Sequence, residues 1–89
     1  MRPCLVISIP AVEQDRALAT LIPHTTRLRG SRFEVEIKVN FLRAGAFDVQ
    51  NLLTTSHAKL IRKLGTLTSE QLVEVEQVLL FWLGFEEAE

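Results

Sequence analysis

Apolar and polar residues alternate most regularly in FEVEIKV, residues 33–39. Every second residue from Phe33 to Val39 is apolar, and the residues between them are charged. Successive side chains of an extended chain point to opposite faces, so this period of two is typical of a strand with one buried face. The pattern predicts a strand over residues 33–39.

Shorter apolar runs predict three further strands and leave one segment open. The predicted strands are CLVISI at 4–9, LATLIP at 18–23 and FDVQNLLT at 47–54. AKLIRKLG at 58–65 fits either a short strand or a single helical turn. The polar residues 11–17, a loop around Gly30 and the turn LRAGA connect the predicted strands.

The C-terminal third carries the pattern of a helix. Thr68 followed by Gln71 at the third helical position is a capping box, and Gly84 is a typical helix stop. The spacing predicts one apolar helix face, formed by Leu72, Val75, Val78, Leu79, Trp82 and Leu83 and flanked by Val73 and Leu80. Phe81 and Phe85 fall near the opposite side, where we expect a subunit or partner contact.

Strands followed by one terminal helix predict an α+β fold. The expected architecture is a strongly bent antiparallel sheet or small open barrel that carries a C-terminal helix. A chain of 89 residues accommodates one domain, residues 1–89.

Charge is unevenly distributed along the chain. Residues 1–63 hold all ten Lys and Arg against five acids, whereas residues 64–89 hold six acids and no basic residue. This asymmetry predicts a cationic working surface, although a chance excess on solvated loops would give the same count.

Cysteine content and hydropathy set the expected compartment. The single cysteine, Cys4, excludes an intrachain disulfide and is expected to be buried within its apolar run. No apolar stretch is long enough to span a bilayer, and we expect a cytoplasmic protein without a metal or cofactor.

The loop TTRLRGSR, residues 25–32, is the candidate for chemistry. Its two threonine hydroxyls and three guanidinium groups are suited to phosphate oxygens, so the loop can contact a nucleic-acid backbone. The alternative is that the threonines satisfy local backbone groups and the arginines only solubilise the loop.

Several segments together resemble the MazF/PemK toxin family. These are RPCLVIS, LIPHTTRLRGSRFEV, GAFDVQNL and KLIRKLGTLTSEQLVEVEQVLLFWLG, which occur in the family's order and spacing. The resemblance implies an SH3-like barrel with helices, a homodimer, and a metal-independent, sequence-selective endoribonuclease that cleaves single-stranded mRNA. It also implies a cognate antitoxin, so that the protein is the toxin of a type II toxin–antitoxin pair.

The resemblance assigns roles to individual positions. The arginine of the family's Arg-Pro pair matches Arg2, and the first threonine of its Pro-x-Thr-Thr segment matches Thr25; both family positions are catalytic. Gln50 matches a strand glutamine close to the RNA groove. Thr26, Arg27 and Arg29 would line the approach to that groove.

The family's chemistry is consistent with these residue types. The RNA 2′-OH attacks its own phosphate, and fixed donors stabilise the negative charge that develops. Arg2 suits this role but is a poor general base, because its pKa exceeds about 12. His24 would be a better base, yet its side chain is expected to point away from that of Thr25, since neighbours in a strand face opposite sides.

The chain departs from the family at its start. Relatives carry a first strand and a Gly-, Ser- and acid-containing loop before the Arg-Pro pair, whereas this sequence begins Met1-Arg2-Pro3. We expect a misplaced start, a strand supplied by another chain, or a truncated form whose neighbouring strand has unpaired backbone groups. A catalytically weak or inactive module that binds antitoxin and dimerises is therefore the alternative, and a gyrase-directed poison is a third.

Overall fold

The longest strand, β2 (Leu18–Thr25), lies at the centre of an antiparallel sheet. In the computed structural model, which describes residues 2–85, this sheet has five strands. The others are β1 (Cys4–Val6), β3 (Glu34–Val35), β4 (Ala46–Asp48) and β5 (Leu53–Ser56). Their order is β1-β2-β4-β3, and β5 also pairs with β2.

The register shows that β2 is paired along both edges. Leu21 pairs with Val6 of β1 and also with Leu53 of β5, so these two strands lie on opposite sides of β2. Beyond β5, the end of β2 pairs with β4, where His24 lies opposite Phe47. The sheet therefore curls along β2, and its fold class is the one predicted from the sequence.

The prediction of one continuous strand over 47–54 is wrong. A 3-10 turn, Val49–Asn51, separates β4 from β5. Val49 is fully buried within the core cluster. The turn lets the chain follow β2 around its curl while Val49 faces inward, and hydrophobic pattern alone does not show such a break.

The strand predicted over 33–39 has the expected buried face, but it is shorter than predicted. Phe33, Val35 and Ile37 are all buried, as their alternation requires. However, the ladder covers only β3, because β4 supplies just two partners for it, Asp48 and Phe47. The ambiguous segment forms a 3-10 turn at His57–Lys59, and residues 60–68 have no regular secondary structure.

The helix α1, Ser69–Trp82, begins as the sequence predicts. The Thr68 hydroxyl accepts from the Gln71 N–H at 3.1 Å, and the Gln71 side chain accepts from the Thr68 N–H at 2.9 Å. Gly84, just beyond the helix, has a positive φ of 82°, a conformation that favours glycine. Val75 is fully buried and anchors the helix in the core.

Two predictions about individual side chains are wrong. Phe81 does not face away from the sheet: its ring packs 5.6 Å from that of Phe33 and contributes to the edge of the core. Phe85 remains exposed. Cys4 is also exposed rather than buried, because β1 is an edge strand whose alternate residues face outward.

Candidate functional site

A cavity of about 380 Å³ lies where β2 ends. Three chain segments form it: the residues before β1, the end of β2 with the loop that follows, and the turn between β3 and β4. Its lining residues are Arg2, Pro3, His24, Thr25, Thr26, Arg27, Phe41, Leu42 and Arg43. The lining contains three arginines and no carboxylate, so the cavity favours an anion.

Arg2 reaches the cavity because its neighbour is bonded to β2. The His24 N–H donates to the Pro3 carbonyl at 2.9 Å, which extends the β1–β2 ladder by one residue. Arg2 therefore lies beside the end of β2, where Thr25 also lines the cavity. These two residues, 23 positions apart in the sequence, are brought to one hollow by the pairing of β1 with β2.

The Thr25 hydroxyl is held in a local turn. Its Oγ1 accepts from the Arg27 N–H at 3.1 Å and lies 3.3 Å from the Arg27 carbonyl oxygen, to which it can donate. The arrangement fixes the hydroxyl next to the backbone of Arg27, another residue that lines the cavity. The hydroxyl could instead donate its hydrogen bond to an anion in the cavity.

The arginine loop is organised by one carboxylate. Glu34 accepts from the backbone N–H groups of Arg29, Gly30 and Ser31, at 2.9–3.1 Å. Gly30 has a φ of 76°, which turns these N–H groups toward a common point. The hydrogen bond from the Arg29 N–H is the largest of the effects that together lower the pKa of Glu34, so the carboxylate stays ionised and holds the loop.

His24 is buried in the wall of the cavity. The residue is 4% exposed, its ring meets that of Phe47 edge-on at 5.1 Å, and its Nε2 has no hydrogen-bond partner. Burial lowers the pKa of the imidazole, which keeps it neutral. The ring also lies against Gly45: a Cβ there would lie 2.9 Å from the His24 Cε1 and would clash with the Thr25 carbonyl.

The structure brings four of the six sequence-predicted site residues together. Arg2, Thr25, Thr26 and Arg27 line the cavity, whereas Arg29 and Gln50 are not among its lining residues. The sequence predicted a strand at Gln50, but the residue lies in the 3-10 turn and its side chain is exposed. Arg29 is exposed on the loop that Glu34 holds.

Arg43 is the cavity residue that the sequence did not indicate. It belongs to a segment interpreted only as a turn, and it reaches the cavity together with Phe41 and Leu42. No local motif marks it, since its position depends on how β4 folds back onto β2. By contrast, Arg32 is held elsewhere: its guanidinium lies 4.8 Å from the Phe33 ring centroid and 5.0 Å from that of Phe81.

The curled antiparallel sheet with one packed helix is a small α+β domain, and its cationic hollow at the end of β2 is suited to an anion. The family model described as "PemK-like, MazF-like toxin of type II toxin-antitoxin system" matches residues 1–83. The chain therefore belongs to this family of toxins, whose MazF members are endoribonucleases. No curated protein gives a match by sequence.

Solved structures of MazF toxins share the fold. The toxin MazF-mt6 of Mycobacterium tuberculosis is 25% identical with a TM-score of 0.81, covering 97% of this chain and 89% of that one. MazE-MazF of Deinococcus radiodurans is 26% identical with a TM-score of 0.79, covering 93% and 81%.

A third similar structure is an endoribonuclease in complex with its cognate antitoxin, from a mycobacterial species. It is 22% identical with a TM-score of 0.82 and covers 98% of this chain and 84% of that one. At this identity the likeness shows the fold alone. Separately, no helix within residues 2–85 has the length and apolar character needed to cross a membrane.

Proposed function

We propose that this chain is an endoribonuclease toxin that cleaves single-stranded mRNA in its cationic cavity. The observation that carries the proposal is the convergence of Arg2 and Thr25 on one hollow, together with Arg27 and Arg43. Membership of the MazF/PemK family supports the reaction class. The cavity supports the substrate class, because guanidinium groups and hydroxyls suit the oxygens of a phosphodiester.

The proposed reaction is transesterification within the RNA. The ribose 2′-oxygen forms a bond to the adjacent phosphorus and loses its proton, while the bond from phosphorus to the 5′-oxygen breaks and that oxygen gains a proton. The products are a 2′,3′-cyclic phosphate and a 5′-OH end. Negative charge on the non-bridging oxygens increases toward the transition state, so donors fixed around them accelerate the step.

Each cavity residue has a role that its chemistry allows. Arg2 donates to the non-bridging oxygens and offsets their developing charge. Thr25 donates one hydrogen bond from its hydroxyl. Arg27 and Arg43 bind the neighbouring phosphates, and Thr26 lies on the same approach. We place Arg29 and Gln50 farther along the RNA path, outside the cavity.

The proposed partners follow from the family. We propose a cognate antitoxin as the inhibitor of this chain, since the Deinococcus radiodurans structure contains both MazE and MazF. We also propose a homodimer. Sedimentation of the purified chain tests the second point, with a mass of about twice 10.1 kDa expected.

Cleavage of a single-stranded RNA by the purified chain, followed by analysis of the product ends, tests the function. We expect 2′,3′-cyclic phosphate and 5′-OH ends. Thr25→Val should slow cleavage by about tenfold, the worth of one hydrogen bond to a charged group. Thr66→Val is the matched control, because Thr66 is exposed and does not line the cavity.

Two results would contradict the proposal. One is cleavage that leaves 5′-phosphate ends, which requires water rather than the 2′-OH as nucleophile. The other is a folded chain that captures a cognate antitoxin but cleaves none of a panel of RNAs, which favours the inactive binding module.

A further inference from the structure

One side of the cavity at the end of β2 is apolar and has no role in the proposed reaction. Phe41 and Leu42 form this side, and both are half-buried. The volume of about 380 Å³ is within the range of about 300–1,000 Å³ that is usual for pockets that hold organic ligands. The arginines suit a phosphate, so the apolar side suits a different part of the same ligand.

The fold uses these two apolar residues differently. Leu42 packs against the core cluster, whereas Phe41 is neither in that cluster nor among the described residues that surround it. Packing in the core therefore accounts for Leu42 but not for Phe41. An aromatic ring that lines a cationic cavity without serving the core indicates a ligand with a flat, apolar surface.

Gly65 fixes the orientation of the Phe41 ring. A Cβ added to Gly65 would lie 2.5 Å from both Cδ1 and Cε1 of the ring and 2.7 Å from Cγ. A point at such similar distances from three consecutive ring carbons must lie above the face of the ring, so the backbone of Gly65 packs on that face. Any side chain at position 65 would displace the ring, and the close approach therefore requires glycine.

The covered face of the ring points away from the cavity. Gly65 does not line the cavity but lines a second hollow of about 1010 Å³, which runs along β1 and residues 59–67 and which we call the edge groove. Phe41 borders both hollows. We therefore place the opposite face of its ring on the cavity side, where a ligand can stack on it.

The ring lies close in sequence to a cation of the same cavity. Phe41 and Arg43 belong to one turn, between β3 and β4, and both line the cavity. A guanidinium and an aromatic ring on one turn match the two parts of a nucleotide, its phosphate and its base. Bases of single-stranded RNA stack on aromatic side chains, because every base has a π-face.

We propose that Phe41 is the base-stacking residue of the cavity. The base of a nucleotide whose phosphate lies among the arginines packs on the ring face opposite Gly65. The identity of the ligand as single-stranded RNA rests on the proposed function. Stacking moves no proton and offsets no charge, so Phe41 holds the nucleotide in position and contributes to affinity rather than to the chemical step.

Oligonucleotides that cannot react test the stacking separately from cleavage. Each is fluorescein-labelled, has about six nucleotides and carries fluorine in place of every 2′-OH, which prevents the proposed attack. The set consists of one homopolymer for each base and one oligonucleotide that is abasic throughout. Fluorescence anisotropy should show at least one homopolymer binding more tightly than the abasic oligonucleotide, at one fixed salt concentration because phosphate contacts depend on salt.

Variants of Phe41 then separate stacking from packing. Phe41→Leu should weaken binding of that homopolymer by about tenfold, equivalent to about 1.4 kcal/mol, and leave binding of the abasic oligonucleotide unchanged. Phe41→Tyr keeps the ring and should bind both as the parent chain does. Phe85→Leu is the matched control, because Phe85 is 76% exposed and does not line the cavity.

Two results would overturn the proposal. If no homopolymer binds more tightly than the abasic oligonucleotide, the cavity binds only the backbone. If Phe41→Leu weakens binding of the abasic oligonucleotide as much as that of the homopolymers, Phe41 only shapes the cavity. A chain that cleaves RNA but gives either result retains the proposed function and loses this inference. A base-dependent loss in a chain that cleaves no RNA supports this inference and contradicts the proposed function.

Discussion

At the scale of single residues, His24 shows how the cavity wall affects stability. Its imidazole is buried with an unpartnered Nε2, and burial lowers its pKa below the ordinary value of 6.5. The native state therefore binds fewer protons than the unfolded state in the range between the two pKa values. The stability that the neutral ring confers is fully present above about pH 6.5, and it is lost as the pH falls from there through the lower pKa of the folded state.

The prediction is that His24→Gln reduces this loss of stability. Urea unfolding at about pH 8 and about pH 5 should show a smaller drop in the midpoint for the variant than for the parent chain. His57→Gln is the control, because His57 is exposed on a 3-10 turn. An equal pH dependence in the His24 variant would show that the buried ring is not its source.

Glu34 is a carboxylate rather than an imidazole, but its contribution to stability is also lost as the pH falls. Backbone N–H groups, that of Arg29 above all, lower its pKa from the ordinary 4.5. The carboxylate therefore contributes stability above the unfolded pKa, and this contribution is lost as the pH falls through the folded pKa. Removing the charge should loosen the loop that carries Arg27 and Arg29.

We predict that Glu34→Gln raises the rate of hydrogen exchange at the amides of residues 29–31 at about pH 7. The free energy of unfolding of the variant should also fall less than that of the parent chain as the pH is lowered into the acid range. Glu36→Gln is a matched control, since Glu36 is exposed two residues further along. Unchanged exchange at these three amides in the Glu34 variant would show that its carboxylate does not hold the loop.

At the scale of elements, the sequence predicts the start of the helix, which depends on local contacts, but not the lengths of the strands, which depend on their partners. The capping box of Thr68 and Gln71 specifies where α1 begins, because both hydrogen bonds lie within four residues. In contrast, the length of β3 depends on how many partners β4 offers, and the break between β4 and β5 depends on the curl of β2. Neither property is local to the sequence of the strand.

We predict that Thr68→Ala lowers the free energy of unfolding by about 1 kcal/mol, the usual worth of a helix N-cap. Urea denaturation measures the change, and Thr66→Ala is the control because Thr66 lies just before the cap without a role in it. A Thr68 variant as stable as the parent would mean that packing of Val75, rather than the cap, determines the start of α1.

At the scale of the whole molecule, the pattern of strands and one terminal helix predicted the fold class, and the family resemblance named four residues that line the cavity. Arg2 and Thr25 converge because β1 pairs with β2 in the register Cys4 with Pro23. Arg43 was missed because a turn residue gains a role only when β4 brings it to the end of β2. Its contribution depends on tertiary structure, which no spacing along the chain encodes.

We propose that the cavity at the end of β2 stabilises the transition state of RNA cleavage through Arg2. The most direct test is the initial rate of cleavage of a single-stranded RNA by Arg2→Ala. Arg16→Ala is the control, because Arg16 is exposed and lines neither the cavity nor the edge groove. The rate should fall by about 100-fold or more for Arg2→Ala and stay unchanged for Arg16→Ala. A folded Arg2→Ala chain that cleaves at the parent rate would contradict the account.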